Sequence, residues 1–276
     1  MSIVIANLGM FFPYMLGDTL LTEVSDSSDD PSMAHCLKTH ILNKDLCVGF
    51  AGSVEPALEA IAILYKKITS EQGIGCPHIS LFNIWTEISK NHSLGRSEFV
   101  LIWKSGEDFK GAHVSESIKE FTYGCIGYDP AFTEFSRIKS DTKSTHNYGN
   151  DEIQNRELEK TAFKELLDSK KIPTIGHLSG FPIAAEYDSE YGFMFPIAAS
   201  MSTDLASGTN HHSVCTTISG RGAIGIYYSG ANVGYLFISG EISKAKKIVN
   251  VTFDQFIIRA LADFGISLVG DVWRKT

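Results

Sequence analysis

The chain has 276 residues, 43% hydrophobic and 20% charged, a balance that supplies apolar material for one large core or two small ones. Lys and Arg total 24 against 32 Asp and Glu, and a net charge of −8 repels phosphate backbones unless basic residues gather in a patch. The densest basic stretch, Lys244, Lys246 and Lys247, reads as a solvated segment before the last helix, so nucleic acid is excluded as an expected partner.

Five cysteines, at positions 36, 47, 76, 125 and 215, form no close pairs, so their spacing outlines neither a zinc knuckle nor a disulfide framework. Reduced thiols in a cytoplasmic protein are the expectation. The apolar stretch Ile3 to Leu16 lacks a basic leader, is interrupted by Asn7, Gly9 and Pro13, and is too short to span a bilayer. It reads as two strands joined by a turn rather than as a signal peptide, and no membrane partner is expected.

In chain order, Ile3 to Asn7 and Pro13 to Thr22 predict a hairpin around Gly9, followed by a polar, acidic loop from Val24 to Ser32. Asp26, Asp29 and Asp30 in that loop lack the ligand spacing and glycine of a calcium site. Lys38 to Leu42 and Leu46 to Phe50 predict a second hairpin, turning at Asn43 and Lys44. Leu58, Ile61 and Leu64 then share one stripe of a helix from Val54 to Thr69, with Ser53 as its N-cap. Leu81, Ile84, Trp85 and Ile88 repeat the pattern in a second helix. Strands are expected at Glu98 to Lys104, Phe109 to Val114 and Phe121 to Ile126, with a helix entered at Pro130. Ser140 to Asp151 reads as a loop and Glu157 to Lys170 as a charged helix. Five strands follow, at Pro182 to Tyr187, Gly192 to Ala198, Val214 to Ser219, Ala223 to Tyr228 and Val233 to Ser239. In the final helix Phe253, Phe256, Ile257, Ala260, Leu261 and Phe264 recur at i, i+3, i+4, Thr252 with Gln255 makes a capping box, and Gly265 ends the run. Strands, helices, strands and a closing helix, without internal repeat, predict an α+β chain of stacked sheets with helices outside, in a single domain over 1–276.

Two motifs carry less chemistry than they suggest. Gly220, Gly222 and Gly225 match a dinucleotide fingerprint, but Ile226, Tyr227 and Tyr228 continue as strand where that site needs a helix, so a glycine-rich turn is expected. His211 and His212 are adjacent, their side chains would diverge in an extended segment, and a polar loop is the expected setting.

The sharper signal is at the start. Ser2 follows Met1, and removal of that methionine would leave a serine bearing a free α-amine. Such an amine has a reference pKa of about 7.7 to 8.0, so near neutral pH an unprotonated fraction accepts the hydroxyl proton. One residue then supplies both nucleophile and base.

Ser2-Ile3-Val4, Gly17-Asp18-Thr19-Leu20-Leu21-Thr22, Lys38 with Ile41, and Gly49-Phe50-Ala51-Gly52 before a helix resemble, in this order, the proteasome β-subunit family of N-terminal-nucleophile hydrolases and its bacterial heat-shock peptidase relatives. The resemblance runs over roughly residues 2–200 and fades beyond. It implies a four-layer αββα sandwich of two mainly antiparallel sheets, with the strands after residue 200 completing or extending the second sheet. Ser2 would be the nucleophile, with Lys38 lowering the pKa of its hydroxyl and amine, and Asp18 holding that lysine. The Gly52 N–H would face the oxyanion, and Phe50 and Val54 would shape the substrate pocket. Gly124-Cys125-Ile126-Gly127 stands where a Gly-Ser-Gly turn is usual. Ser179-Gly180 resembles a later catalytic Asp-x-x-Ser-Gly element, with Gly176 in the aspartate's place and His177 beside it.

The implied activity is amide-bond hydrolysis, in a peptide, through an ester on Ser2, with no metal or organic cofactor. The resemblance also implies a homo-oligomer and an ATP-dependent unfolding partner. Two other readings stay open: a catalytically silent assembly subunit presenting a binding surface, and an amidase of the same superfamily acting on a small metabolite. For Asp18 and Lys38 the plainer alternative is a strand-end charge pair with no catalytic task. A strand-end lysine contributes little to a core, so Lys38→Ala is expected to leave the fold intact.

Overall fold

The computed structural model describes residues 2–9, 12–19, 36–70, 75–91, 96–145, 148, 151–168, 182–196, 201–205, 208–217, 219–229, 232–241 and 245–269. Its elements in chain order are strands β1 (Ile3–Asn7), β2 (Tyr14–Gly17), β3 (Thr39–Asn43) and β4 (Leu46–Gly52), then helices α1 (Val54–Ser70) and α2 (Pro77–Asn91). Next come β5 (Ser97–Ser105), β6 (Asp108–Val114), β7 (Ile118–Glu120), β8 (Tyr123–Gly127), α3 (Asp129–Thr145) and α4 (Glu152–Asp168). The last third comprises β9 (Ile183–Asp188), β10 (Gly192–Met194), β11 (Met201–Leu205), β12 (Gly208–Thr217), β13 (Ala223–Tyr228), β14 (Val233–Ile238), β15 (Lys246–Val249), α5 (Phe253–Phe264) and β16 (Leu268–Val269).

Among the described residues the fold is α+β, with three sheets and five helices. The first sheet has the order β10-β9-β2-β1-β8 and the second β3-β4-β5-β6-β7. The third runs β11-β12-β13-β14-β15, with β16 beside β12. All their pairings are antiparallel.

The unbroken apolar runs of β1, β2, β4 and β5 follow from burial on both faces. Ile3, Ile5, Tyr14 and Leu16 pack under α3 and α4 with Phe135, Phe163 and Leu166. The alternating residues Val4, Ala6 and Met15 meet Cys47, Ala51, Val100 and Ile102 of the second sheet. On that sheet's other face Val48, Phe50, Phe99, Leu101 and Trp103 pack with Ala57, Ile61 and Leu64 of α1 and Leu81 and Trp85 of α2.

The strands after residue 200 neither complete nor extend the second sheet. They build a third sheet, because β13 carries two apolar faces. Ile224 and Ile226, with Phe237 of β14, join the core shared by the first two sheets. Tyr227 and Leu236 face α5 through Phe256 and Ala260. The capping box of α5 is complete: Gln255 N donates to Thr252 Oγ1 at 3.3 Å and Thr252 N to Gln255 Oε1 at 2.9 Å. The chain leaves this helix at Gly265 in a left-handed turn.

Two local expectations are corrected. Ser140 to Thr145 is helix rather than loop, since Arg137 pairs with Glu134 and Asp141 along α3 and Thr142 is buried. Its polar character reflects a solvated face. Lys246, half-buried, and Lys247, exposed, lie in β15 at the edge of the third sheet just before α5, in line with a solvated basic segment, and charged side chains there discourage pairing with another chain. His211 and His212 belong to β12, paired with Ser202 and Tyr228 respectively, and not to a loop. The glycine-rich segment at 220–222 is a turn leading into β13, as the strand context requires. The acidic 24–32 segment lies outside the described residues. Among the described residues no helix is long and apolar enough to cross a membrane.

Candidate active site

The ends of β2 and β4, the start of β1 and the approach to β3 bring Ser2, Asp18, Lys38 and Gly52 toward one region. Antiparallel pairing of β1 with β2 sets Val4 opposite Gly17. Asp18, the next residue, therefore lies beside the chain entering β1. Its backbone N–H donates to Ile3 O at 3.4 Å, and its Oδ1 accepts from Ile3 N at 3.0 Å. Beyond β2, Cys36 N donates to Thr19 O at 2.9 Å, which brings the approach to β3 alongside. Lys38 then reaches Asp18, with Nζ donating to Oδ2 at 2.8 Å.

Both partners of this ion pair are buried, Asp18 with 0% and Lys38 with 1% of its surface exposed. Removing two charges from water is expensive, and the pair persists only because each charge meets its complement at hydrogen-bond distance. One carboxylate thus joins Lys38 to the peptide linking Ser2 and Ile3. Lys38 is a core residue, so the expectation that alanine there leaves the fold intact is withdrawn: truncation would strand the Asp18 charge.

Ser2 is held on its other side by the end of β8. Its carbonyl accepts from Tyr128 N at 3.0 Å. Gly127 has φ +108°, and a Cβ there would sit 2.0 Å from Ser2 O and 3.3 Å from Ala51 Cβ. Only glycine admits this approach. The Gly124 to Gly127 segment is therefore a strand whose last residue seats the serine. Ser2 itself is buried, at 8% exposure.

Gly52 ends β4 exposed, with φ +107°, and a Cβ there would meet Arg96 O at 2.2 Å. Phe50 points the other way: it is wholly buried among α1, α2 and the second sheet, and Val54 packs half-buried against the same core. Ser179, Gly176 and His177 lie outside the described residues, as does Met1. Among the described residues no group of three His, Cys, Asp or Glu side chains could hold a metal ion.

Cys125 lies in β8, just before the Gly127 that seats Ser2. Burial, aided by the carboxylates of Asp129 and Glu98, pushes the Cys125 thiol up to about 12, so it stays protonated and weakly nucleophilic at neutral pH.

Sequence reasoning passed over His40. Its ring is buried, its Nε2–H donates to Leu37 O at 2.8 Å, and its Nδ1 accepts from Gly240 N at 3.2 Å. The only available signal was its place two residues after Lys38, and a lone histidine in an apolar strand carries no pattern. Gly127 was more legible, as a glycine closing a strand that pairs with β1. No protein-family model matches the chain, and no curated protein matches it.

Proposed function

We propose that the chain is an N-terminal-nucleophile hydrolase that cleaves amide bonds, in peptides, with Ser2 as nucleophile once Met1 is removed. The observation that carries this reading is the buried Lys38–Asp18 pair, whose carboxylate also binds the Ser2–Ile3 peptide. The layering supports it as well. Helices α1 and α2 cover one face of two apposed sheets and α3 and α4 the other, as in a four-layer αββα sandwich, with the third sheet added to it.

In this reading the Ser2 α-amine takes the hydroxyl proton as Oγ attacks the substrate carbonyl. The carbonyl oxygen becomes an oxyanion facing the Gly52 N–H. Collapse of the tetrahedral intermediate breaks the C–N bond, the α-ammonium returns its proton to the leaving amine, and an ester remains on Oγ. Water, deprotonated by the same amine, cleaves that ester and regenerates the serine. The Lys38 charge favours the unprotonated amine and the alkoxide, and Asp18 keeps the ammonium oriented.

Intact mass of the purified protein tests the requirement common to every step. Loss of Met1, leaving Ser2 as the first residue, is expected. Retention of Met1 in essentially all molecules would end the catalytic reading and favour a silent subunit.

A further inference from the structure

We propose that the third sheet positions Lys38 through His40, so that residues beyond 200 are a working part of the site and His40 is its positioning residue. The proposal rests on the reading of Ser2, Asp18 and Lys38 as the catalytic group.

The geometry is specific. Leu37 O belongs to the peptide bond that enters Lys38, and His40 binds it through Nε2–H at 2.8 Å. The opposite ring nitrogen accepts from Gly240 N at 3.2 Å, in the turn that leaves β14. A carbonyl can only accept and a backbone N–H can only donate, so the two bonds together select one neutral tautomer. The next strand residue repeats the link, with Ile41 N donating to Ser239 Oγ at 3.4 Å. Ser239 is in turn fixed by its N–H on Gly222 O at 2.7 Å, within the glycine turn before β13. On its other side the Lys38 carbonyl accepts from Phe50 N at 3.0 Å. Lys38 is therefore gripped from the second sheet at its own carbonyl and from the third sheet, through imidazole, at the carbonyl before it. Loss of the imidazole would leave the buried Leu37 O and the half-buried Gly240 N–H without these bonds and free the lysine backbone to shift. A displacement near 1 Å at such a site is enough to cost on the order of a hundredfold in rate.

Nuclear magnetic resonance of the whole chain tests this independently of activity. In the natural protein His40 should carry its proton on Nε2 only; a proton on Nδ1 would overturn the proposal, since Gly240 could no longer donate to it. In His40→Phe, which keeps a ring but loses both bonds, the Lys38 ammonium protons and the Gly240 amide should exchange with water at least about tenfold faster. His40→Gln, whose amide offers both a donor group and an acceptor, should restore much of the slow exchange. If His40→Phe does not fold, His40→Gln and the tautomer decide. Unchanged Lys38 exchange in a folded His40→Phe protein would refute the link. Labelling of Ser2 by a serine-reactive electrophile should fall in parallel, and a Ser2 inert in the natural chain would count against the hydrolase reading while the exchange result still judges the positioning role.

Discussion

Lys38 and Asp18 show how burial changes the meaning of a charge. In water such a pair contributes little, whereas here removal of Lys38 would leave the buried Asp18 carboxylate without its cation. Lys38→Met should therefore lower unfolding stability by about 3–5 kcal/mol in urea titrations. Combining it with Asp18→Asn should recover much of that loss while leaving Ser2 unreactive. Full additivity of the two losses would show that the pair is not coupled. His40 gives the residue scale a second test. Burial lowers its pKa from 6.5 to about 4, against an opposing push from the Leu37 carbonyl. Its folded pKa lies below the unfolded one, so its effect is neutral above pH 6.5 and destabilising as pH falls, when only the unfolded chain takes up the proton. Relative to His40→Gln, the natural protein should lose about 2 kcal/mol by pH 5 and about 3 kcal/mol by pH 4. Parallel pH dependence of the two proteins would contradict it.

At the scale of elements, α5 separates what a hydrophobic stripe says from what it buries. Phe256 and Ala260 are buried under the third sheet, whereas Leu261 is 54% exposed. Phe256→Ala should cost about 3–5 kcal/mol in thermal or urea unfolding and Leu261→Ala under about 1 kcal/mol. Equal losses would mean that the helix is rotated about its axis. Periodicity located this helix, its cap and its end because those are local features. Which positions on the stripe are covered depends on β13 and β14, distant in sequence. The same limit explains Ser140 to Thr145, where a solvated helical face and a loop share one composition. It also explains the third sheet, since strand patterns locate strands without saying which sheet they join. The hairpins β1–β2 and β3–β4 were legible because their strands are β-branched or apolar and the links between them carry glycine and proline or begin at asparagine.

For the whole molecule, the site depends on contacts that no window of sequence contains. Asp18 and Lys38 come together because the chain leaving β2 pairs with the chain approaching β3. Their meeting was foreseeable only through the resemblance that aligned Gly17-Asp18, Lys38 and Ala51-Gly52 in order. Gly127 and His40 act from β8 and β3 upon the backbones of Ser2 and Leu37, and neither side chain advertises that task. A core drawing on all three sheets then makes the far end of the chain relevant to its first residues. The most direct measurement is the site of covalent labelling by a serine-reactive electrophile at neutral pH, mapped by peptide mass spectrometry. The expected result is a single adduct on Ser2, in chains lacking Met1, with Cys125 unmodified and the adduct lost in the Lys38→Met, Asp18→Asn double variant. Absence of any adduct on Ser2 in fully processed chains, or undiminished labelling of Ser2 in the double variant, would contradict a catalytic serine activated by Lys38.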